Sequence, residues 1–261
     1  MRDAVLLFCC FAVLQHLIIN MNWSLNFLLS RLAKKIRIGF DNPIYVTHRY
    51  TARMSIPSKT IDVEIYADII CPWCYIGKKR LDAAFAARSD VTPKYIWRGF
   101  LLNPGIPAEG MDRQAYLHNK FGSAAAAVYG RIAAAGLDSG IAFNFDKITR
   151  TPDSRGVHHV LLSAQNNVEI LSEAFYQAYF IDGKDIGDPD IIAGIIDQFG
   201  IDIDLDTVHS TAIHRQLEQD LFMARQLQLD GVPYFIFNEQ YAVAGAHLSE
   251  HFLPVIDAAT T

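Results

Sequence analysis

The stretch Ile61–Arg80, IDVEIYADIICPWCYIGKKR, limits what this chain can fold into more than any other. Ile61, Val63 and Ile65 alternate with Asp62, Glu64 and Tyr66, the period-two pattern of a half-buried strand. The run closes on Cys71-Pro72-Trp73-Cys74 and passes straight into residues of helical character. A C-x-x-C at a strand-to-helix junction is a redox dithiol arrangement. Helix N-termini leave amide N–H groups unpaired, so a thiolate at Cys71 is favoured there. Pro72 suits the first helical position, where it has no N–H to lose. Two intervening residues set Cys74 one turn on, close enough to Cys71 to close a small disulfide ring.

In this reading Cys71 attacks and the less exposed Cys74 resolves the mixed disulfide. Two other readings compete. Zinc needs four N or S ligands, but no cysteine follows Cys74, and the adjacent His158 and His159 are poorly spaced for chelation. The sequence therefore assigns no metal site. A pair of inert buried cysteines is the other reading, since free cysteine packs as a small hydrophobe; the intervening Pro-Trp argues against it.

With 261 residues, 51% of them apolar, the chain can bury one large core or two modest ones. Its net charge of −5 leaves no footprint for nucleic acid. Four cysteines are too few for a disulfide-stapled secreted fold, and Cys9 and Cys10 lie in a segment of different character.

That segment has an almost wholly apolar run, Ala4–Ile19, and then a basic cluster at Arg31, Lys34, Lys35 and Arg37. A signal peptide needs a basic start and a small-residue cleavage site, yet Arg2 is offset by Asp3 and no A-x-A follows. A membrane anchor needs about 20 apolar residues, and the basic cluster would then hold the domain on the cytoplasmic side. The favoured expectation is a translation start at or near Met54, a cytoplasmic protein without a membrane partner, and an extension at 1–58 outside the core.

Helical patterns follow the motif over Tyr75–Arg88, and a second strand is expected over Lys94–Leu102. Helices are then expected near Arg113–Phe121, Ser123–Ala135, Asp153–Ala164, Ile191–Phe199 and within Leu205–Leu229. Another carries Ile170, Leu171, Phe175, Tyr176 and Tyr179 as its apolar face, and Leu217, Leu221, Phe222 and Leu227 mark the last stretch. Tyr234–Phe237 and Tyr241–Ala244 read as a hairpin, followed by a helix over Leu248–Ala258. The order predicts a small α/β unit in two parts, 59–104 and 230–261, interrupted by a helical insertion at 105–229.

Val232-Pro233 stands directly before a strand, where proline is accepted. X-Pro bonds are the ones that readily take the cis form. A cis proline opposite the dithiol would offer the Val232 backbone to a substrate, which would pair like an added strand. An ordinary turn proline is the alternative, and the upstream C-x-x-C weighs against it.

With these residues in place, the chain resembles the DsbA-like thioredoxin superfamily, and within it the FrnE-like branch of dithiol–disulfide oxidoreductases or isomerases. The resemblance runs from Ile61 to Ala258. It rests on Asp68–Leu81, Trp97–Pro104, Lys120–Gly122, Tyr179–Pro189 and Gly231–His247. It implies a thioredoxin-like fold with an inserted all-helical domain, catalytic roles for Cys71 and Cys74, and a cis Val232-Pro233 bond. The related kappa-class glutathione transferases and hydroxychromene-carboxylate isomerases typically carry serine where Cys71 stands, and the intact pair argues against that chemistry. Two departures affect substrate contacts: Asp153 stands where the family often has asparagine, and Leu101 where glutamate is common.

The expected activity is exchange of disulfides in thiol- or disulfide-containing protein or small-molecule substrates. It needs no cofactor beyond the Cys71–Cys74 pair, with glutathione as a possible thiol partner. A non-catalytic binding module on the same fold is the competing class. Helix amides are expected to lower the Cys71 pKa below about 8.5. Asp68 is a candidate proton acceptor for Cys74, with a turn or capping role as the alternative. Trp73, Tyr75 and His158 join Val232 and Pro233 as candidate substrate contacts. No feature of the sequence assigns an oligomeric state.

Overall fold

The computed structural model describes residues 59–261. The readings made above for 1–58, the translation start and Cys9 and Cys10 among them, lie outside the described residues. Strand β1 spans Lys59–Ala67, and helix α1 spans Pro72–Ala86, opening on Pro72. Strand β2 spans Val91–Gly99. A helical block follows: α2 (Arg113–Phe121), α3 (Ala125–Leu137), α4 (Arg155–Ser163) and α5 (Val168–Phe180). Then come α6 (Pro189–Gln198), α7 (Leu205–Val208) and α8 (Thr211–Gln226). Strands β5 (Tyr234–Phe237) and β6 (Tyr241–Ala244) and helix α9 (Ser249–Thr260) finish the chain. Within the helical block, β3 (Met111–Asp112) and β4 (Arg150–Thr151) form a separate antiparallel pair.

The main sheet has the order β2-β1-β5-β6. β1 runs parallel to β2 and antiparallel to β5, with Ile65 opposite both Trp97 and Phe235. Alternation in β1 holds over its first half, where Ile61, Val63 and Ile65 are buried and Asp62 is exposed; at its end Tyr66, of the opposite face, is buried as well. α9 packs on α1 and on β1, β5 and β6. Phe252 meets Phe235 edge to face, ring centres 5.3 Å apart. α4, α5 and α8 close on β2.

Local signals explain several boundaries. Asp188 caps α6 by accepting the Asp190 N–H at 2.9 Å, with Pro189 in the first turn. Asp112 caps α2 through the Ala115 N–H at 2.8 Å. The β5–β6 turn puts Asn238 and Glu239 at φ values of 48° and 57°, and asparagine tolerates that region well. The Asn238 side chain also accepts the Asp62 N–H and donates to the Ala259 carbonyl, tying hairpin, sheet and last helix together.

One expectation is corrected: Ile170, read on the apolar face of its helix, is exposed, as are two of the apolar residues that mark the last helical stretch. Ile170, Phe222 and Leu227 are 48%, 52% and 42% exposed. α5 turns Leu171, Phe175, Tyr176 and Tyr179 inward, and α8 turns Leu217, Asp220 and Ala224 inward, which leaves Ile170 and Phe222 on the outer sides; Leu227 is the C-cap just past the end of α8. Among the described residues no helix is long and apolar enough to cross a membrane.

Candidate active site

The dithiol sits where β1 runs out. Asp68, Ile69 and Ile70 turn the chain, with the Cys71 N–H returning to the Asp68 carbonyl at 3.0 Å. Cys71 is the N-cap of α1, with φ −94° and ψ 112°, and its carbonyl accepts the Cys74 N–H at 3.0 Å. The first turn of α1 carries no acidic residue, so the positive end of the helix dipole at Cys71 has no carboxylate against it within that turn. Cys71 is 4% exposed and Cys74 1%, with Trp73 projecting between them at 38%.

Pro233 arrives at the same place through strand direction. β5 is antiparallel to β1, so the start of β5 lies beside the end of β1, with Tyr234 opposite Tyr66. The two residues before Tyr234 therefore abut the dithiol turn. The Val232–Pro233 peptide is cis, and the Cys71 thiol points at the Val232 carbonyl oxygen, 3.8 Å away. Gly77 makes the approach possible: a Cβ there would stand 2.7 Å from Pro233 Cγ and 3.2 Å from Phe235 Cζ. The Gly245 N–H donates to the Pro233 carbonyl at 2.8 Å and fixes the loop from the other side.

Beneath the cysteines lies Asp68, fully buried. Its carboxylate accepts the Ile70 N–H at 3.3 Å and the Leu102 N–H at 2.8 Å, so it does hold the turn. It also bears on the dithiol. Burial pushes the Cys74 thiol well above its usual range, and a hydrogen bond and negative charge from Cys71 push it the same way. The Asp68 backbone amide offsets part of this, and the Asp68 carboxylate raises it further. Cys74 is thus a thiol that gives up its proton reluctantly and has a carboxylate at hand.

Trp73, Val232 and Pro233 frame Cys71, but Tyr75 and His158, expected as substrate contacts, are buried. Tyr75 is 3% exposed, stacks on Tyr176 at 4.8 Å and donates to Glu173 at 2.8 Å. One residue past Cys74 on a helix facing α5, it points into the protein. Lys79 also binds Glu173, at 2.7 Å, so this carboxylate joins α1 to α5. His158 is fully buried; its Nδ1 accepts the Trp97 indole N–H at 3.1 Å, and its Nε2 lies 3.4 Å from Asp68 Oδ1.

Sequence reading missed Gly77, Trp97 and Tyr176 as parts of the site. Gly77 carried a legible signal, a glycine inside a helix where alanine is otherwise better. Tyr176 was visible only as one member of an apolar face. Its hydroxyl is buried without a partner, and burial, then charge at Cys74 and Cys71, holds it well above the usual tyrosine range. Among the described residues, no group of three or more His, Cys, Asp or Glu side chains is placed to hold a metal ion.

The fold is similar to that of a probable DsbA oxidoreductase from Streptomyces coelicolor, 27% identical, with a TM-score of 0.69 over 77% of this chain and 90% of that one. It is also similar to the cytosolic disulfide reductase DsbM from Pseudomonas aeruginosa with GSH, 13% identical, TM-score 0.52, over 76% and 95% of the two chains. A 2-hydroxychromene-2-carboxylate isomerase, 15% identical, matches with a TM-score of 0.54 over 76% and 94%. The last two speak to the fold alone, which carries more than one chemistry. The family model described as a DSBA-like thioredoxin domain matches residues 62–256, so the chain has the DsbA-like thioredoxin fold and belongs to that family.

Proposed function

We propose that this protein is a thiol–disulfide oxidoreductase or isomerase of the FrnE-like branch, working through the Cys71–Cys74 dithiol in the cytoplasm. The observation that carries the reading is the meeting of the Cys71 thiol and the Val232 carbonyl at 3.8 Å across a cis proline. That carbonyl can accept a backbone N–H from a substrate laid alongside it as an added strand.

Cys71, as thiolate, attacks a substrate disulfide; a Cys71–substrate bond forms and the first substrate thiolate leaves. Cys74 gives its proton to Asp68 and attacks Cys71 Sγ. The Cys71–Cys74 bond forms and the second substrate thiolate leaves and is protonated. The substrate gains two electrons and the dithiol loses two. An external thiol such as glutathione returns them by the reverse exchange. Proteins and small molecules bearing disulfides are both candidate substrates.

Insulin reduction by the wild-type protein, set against the Cys71→Ser and Cys74→Ala variants, tests this. Loss of turnover in the first variant and accumulation of mixed disulfides in the second support it. Undiminished turnover in Cys71→Ser overturns it. The likeness in fold to a 2-hydroxychromene-2-carboxylate isomerase favours a second reading, a glutathione-dependent transferase or isomerase. In that case glutathione-conjugate formation survives removal of both cysteines.

A further inference from the structure

Among the described residues, His158 Nε2 and Tyr176 Oη are the buried side-chain polar atoms with no hydrogen-bond partner. Buried polar atoms are paired in the great majority of cases, so an orphan asks for a reason. For His158 the surroundings supply one. Trp97 Nε1 is a donor only, so the ring nitrogen it reaches, Nδ1, accepts and carries no proton. The proton of the imidazole is therefore on Nε2, the nitrogen 3.4 Å from Asp68 Oδ1. That contact is within reach but does not complete a hydrogen bond, because Nε2 remains without a partner.

We infer that His158 is a positioning residue for Asp68: Trp97 locks the tautomer that aims a donor at the carboxylate, and the donor engages Asp68 while it takes the Cys74 proton and gives it back. The inference rests on the proposed dithiol reading and assigns a role in its second step only.

The packing is built for this aim. The ring of His158 lies 5.9 Å from that of Trp97, and a Cβ on Gly99 would stand 3.4 Å from His158 Nδ1. The other charged groups around α4 are already engaged. Asp220 on α8 accepts the Gly99 N–H at 3.0 Å and Gln216 at 3.1 Å, and lies 3.5 Å from Arg98. Arg98 also holds Glu64, at 2.6 Å. His159, next along the helix, packs on His214 with ring centres 4.2 Å apart. Asp153, before the helix, is bound by Arg155 at 2.9 Å. Asp220 also interacts electrostatically with His158 but is held by these partners, and Asp68 is the carboxylate that lies 3.4 Å from Nε2.

The test separates the two chemical steps. Reduced full-length protein carrying Cys9→Ala and Cys10→Ala, so that Cys71 and Cys74 are its only thiols, is mixed with the aryl disulfide dithiobis(nitrobenzoate). Attack by Cys71 releases one coloured thiolate, and attack by Cys74 on the resulting mixed disulfide releases the second. His158→Leu is expected to leave the first phase unchanged, slow the second by about tenfold or more, and move the acid limb of its pH profile to higher pH. His158→Gln, which offers an amide N–H near the Nε2 position, is expected to recover much of the second phase. Trp97→Phe keeps the imidazole but frees its tautomer; imidazole nitrogen NMR is expected to show a mixture in place of the single Nε2–H form, with a slower second phase. A second phase of unchanged rate and pH profile in folded His158→Leu, or in Trp97→Phe should the first variant not fold, overturns the inference. Absence of a second phase in this parent protein, with His158 and Trp97 intact, refutes the dithiol reading itself, a distinct failure.

Discussion

Cys71 and Val232 are 161 residues apart in the chain, and the thiol of one points at the carbonyl oxygen of the other at 3.8 Å. Sheet topology produces the meeting. β1 ends into the dithiol turn, β5 begins out of the proline, and their antiparallel pairing puts both events at one end of the sheet.

Cys71→Ser is expected to reduce disulfide turnover by about a thousandfold or more, because the nucleophile of a two-step exchange has no substitute. Cys74→Ala is expected to stall after the first step. Intact mass after exposure to a disulfide peptide should show the peptide joined to Cys71, released by added thiol.

Gly77→Ala drives a methyl group into Pro233, 2.7 Å from its Cγ, inside a buried contact. Such overpacking is expected to destabilise the fold by about 1–3 kcal/mol. It should also slow exchange, because Val232 moves with Pro233 away from Cys71. Urea unfolding and insulin reduction measure the two effects on one preparation.

The reduced protein should lose stability as pH rises. Burial raises the Cys74 thiol above its ordinary value of 9.0 in the folded state. The folded protein then holds a proton that the unfolded chain gives up, so stability is full below about pH 9 and declines above it. Buried tyrosines add a similar slope, but a Cys71–Cys74 disulfide removes the cysteine part alone. Thermal melts of reduced and oxidised protein from pH 8 to pH 10 should therefore diverge, the reduced form falling faster.

His159 gives the opposite end of the pH profile. Burial, reinforced by His214, His158 and His209, lowers its pKa from 6.5 to about 4. The unfolded chain binds that proton first, so its contribution to stability is present above pH 6.5 and is lost as pH falls toward 4. His159→Gln should flatten the melting profile between those limits, and circular dichroism melts in that range check it.

Strong local patterns were legible. The hairpin at Tyr234–Phe237 and Tyr241–Ala244 and helix Arg113–Phe121 lie where alternation, turn residues and periodicity put them. The β3–β4 pair was not legible, because two residues carry no period. Ile170 was misplaced because periodicity finds an apolar stripe while neighbouring elements decide how much of it is covered. In the site, Cys71, Cys74 and Pro233 stand out through spacing and backbone chemistry. The contacts of Asp68 with His158, and of His158 with Trp97, join three elements far apart in sequence and leave no periodic trace. With its full burial, they show that a histidine read as a substrate contact lies beside Asp68 instead.

The most direct test of the account is the redox titration of native protein in glutathione buffers, followed by intact mass and peptide mapping. The account predicts a two-electron couple in which Cys71 and Cys74 lose one hydrogen each and join to one another. Persistence of both free thiols across the whole range of buffers would contradict it.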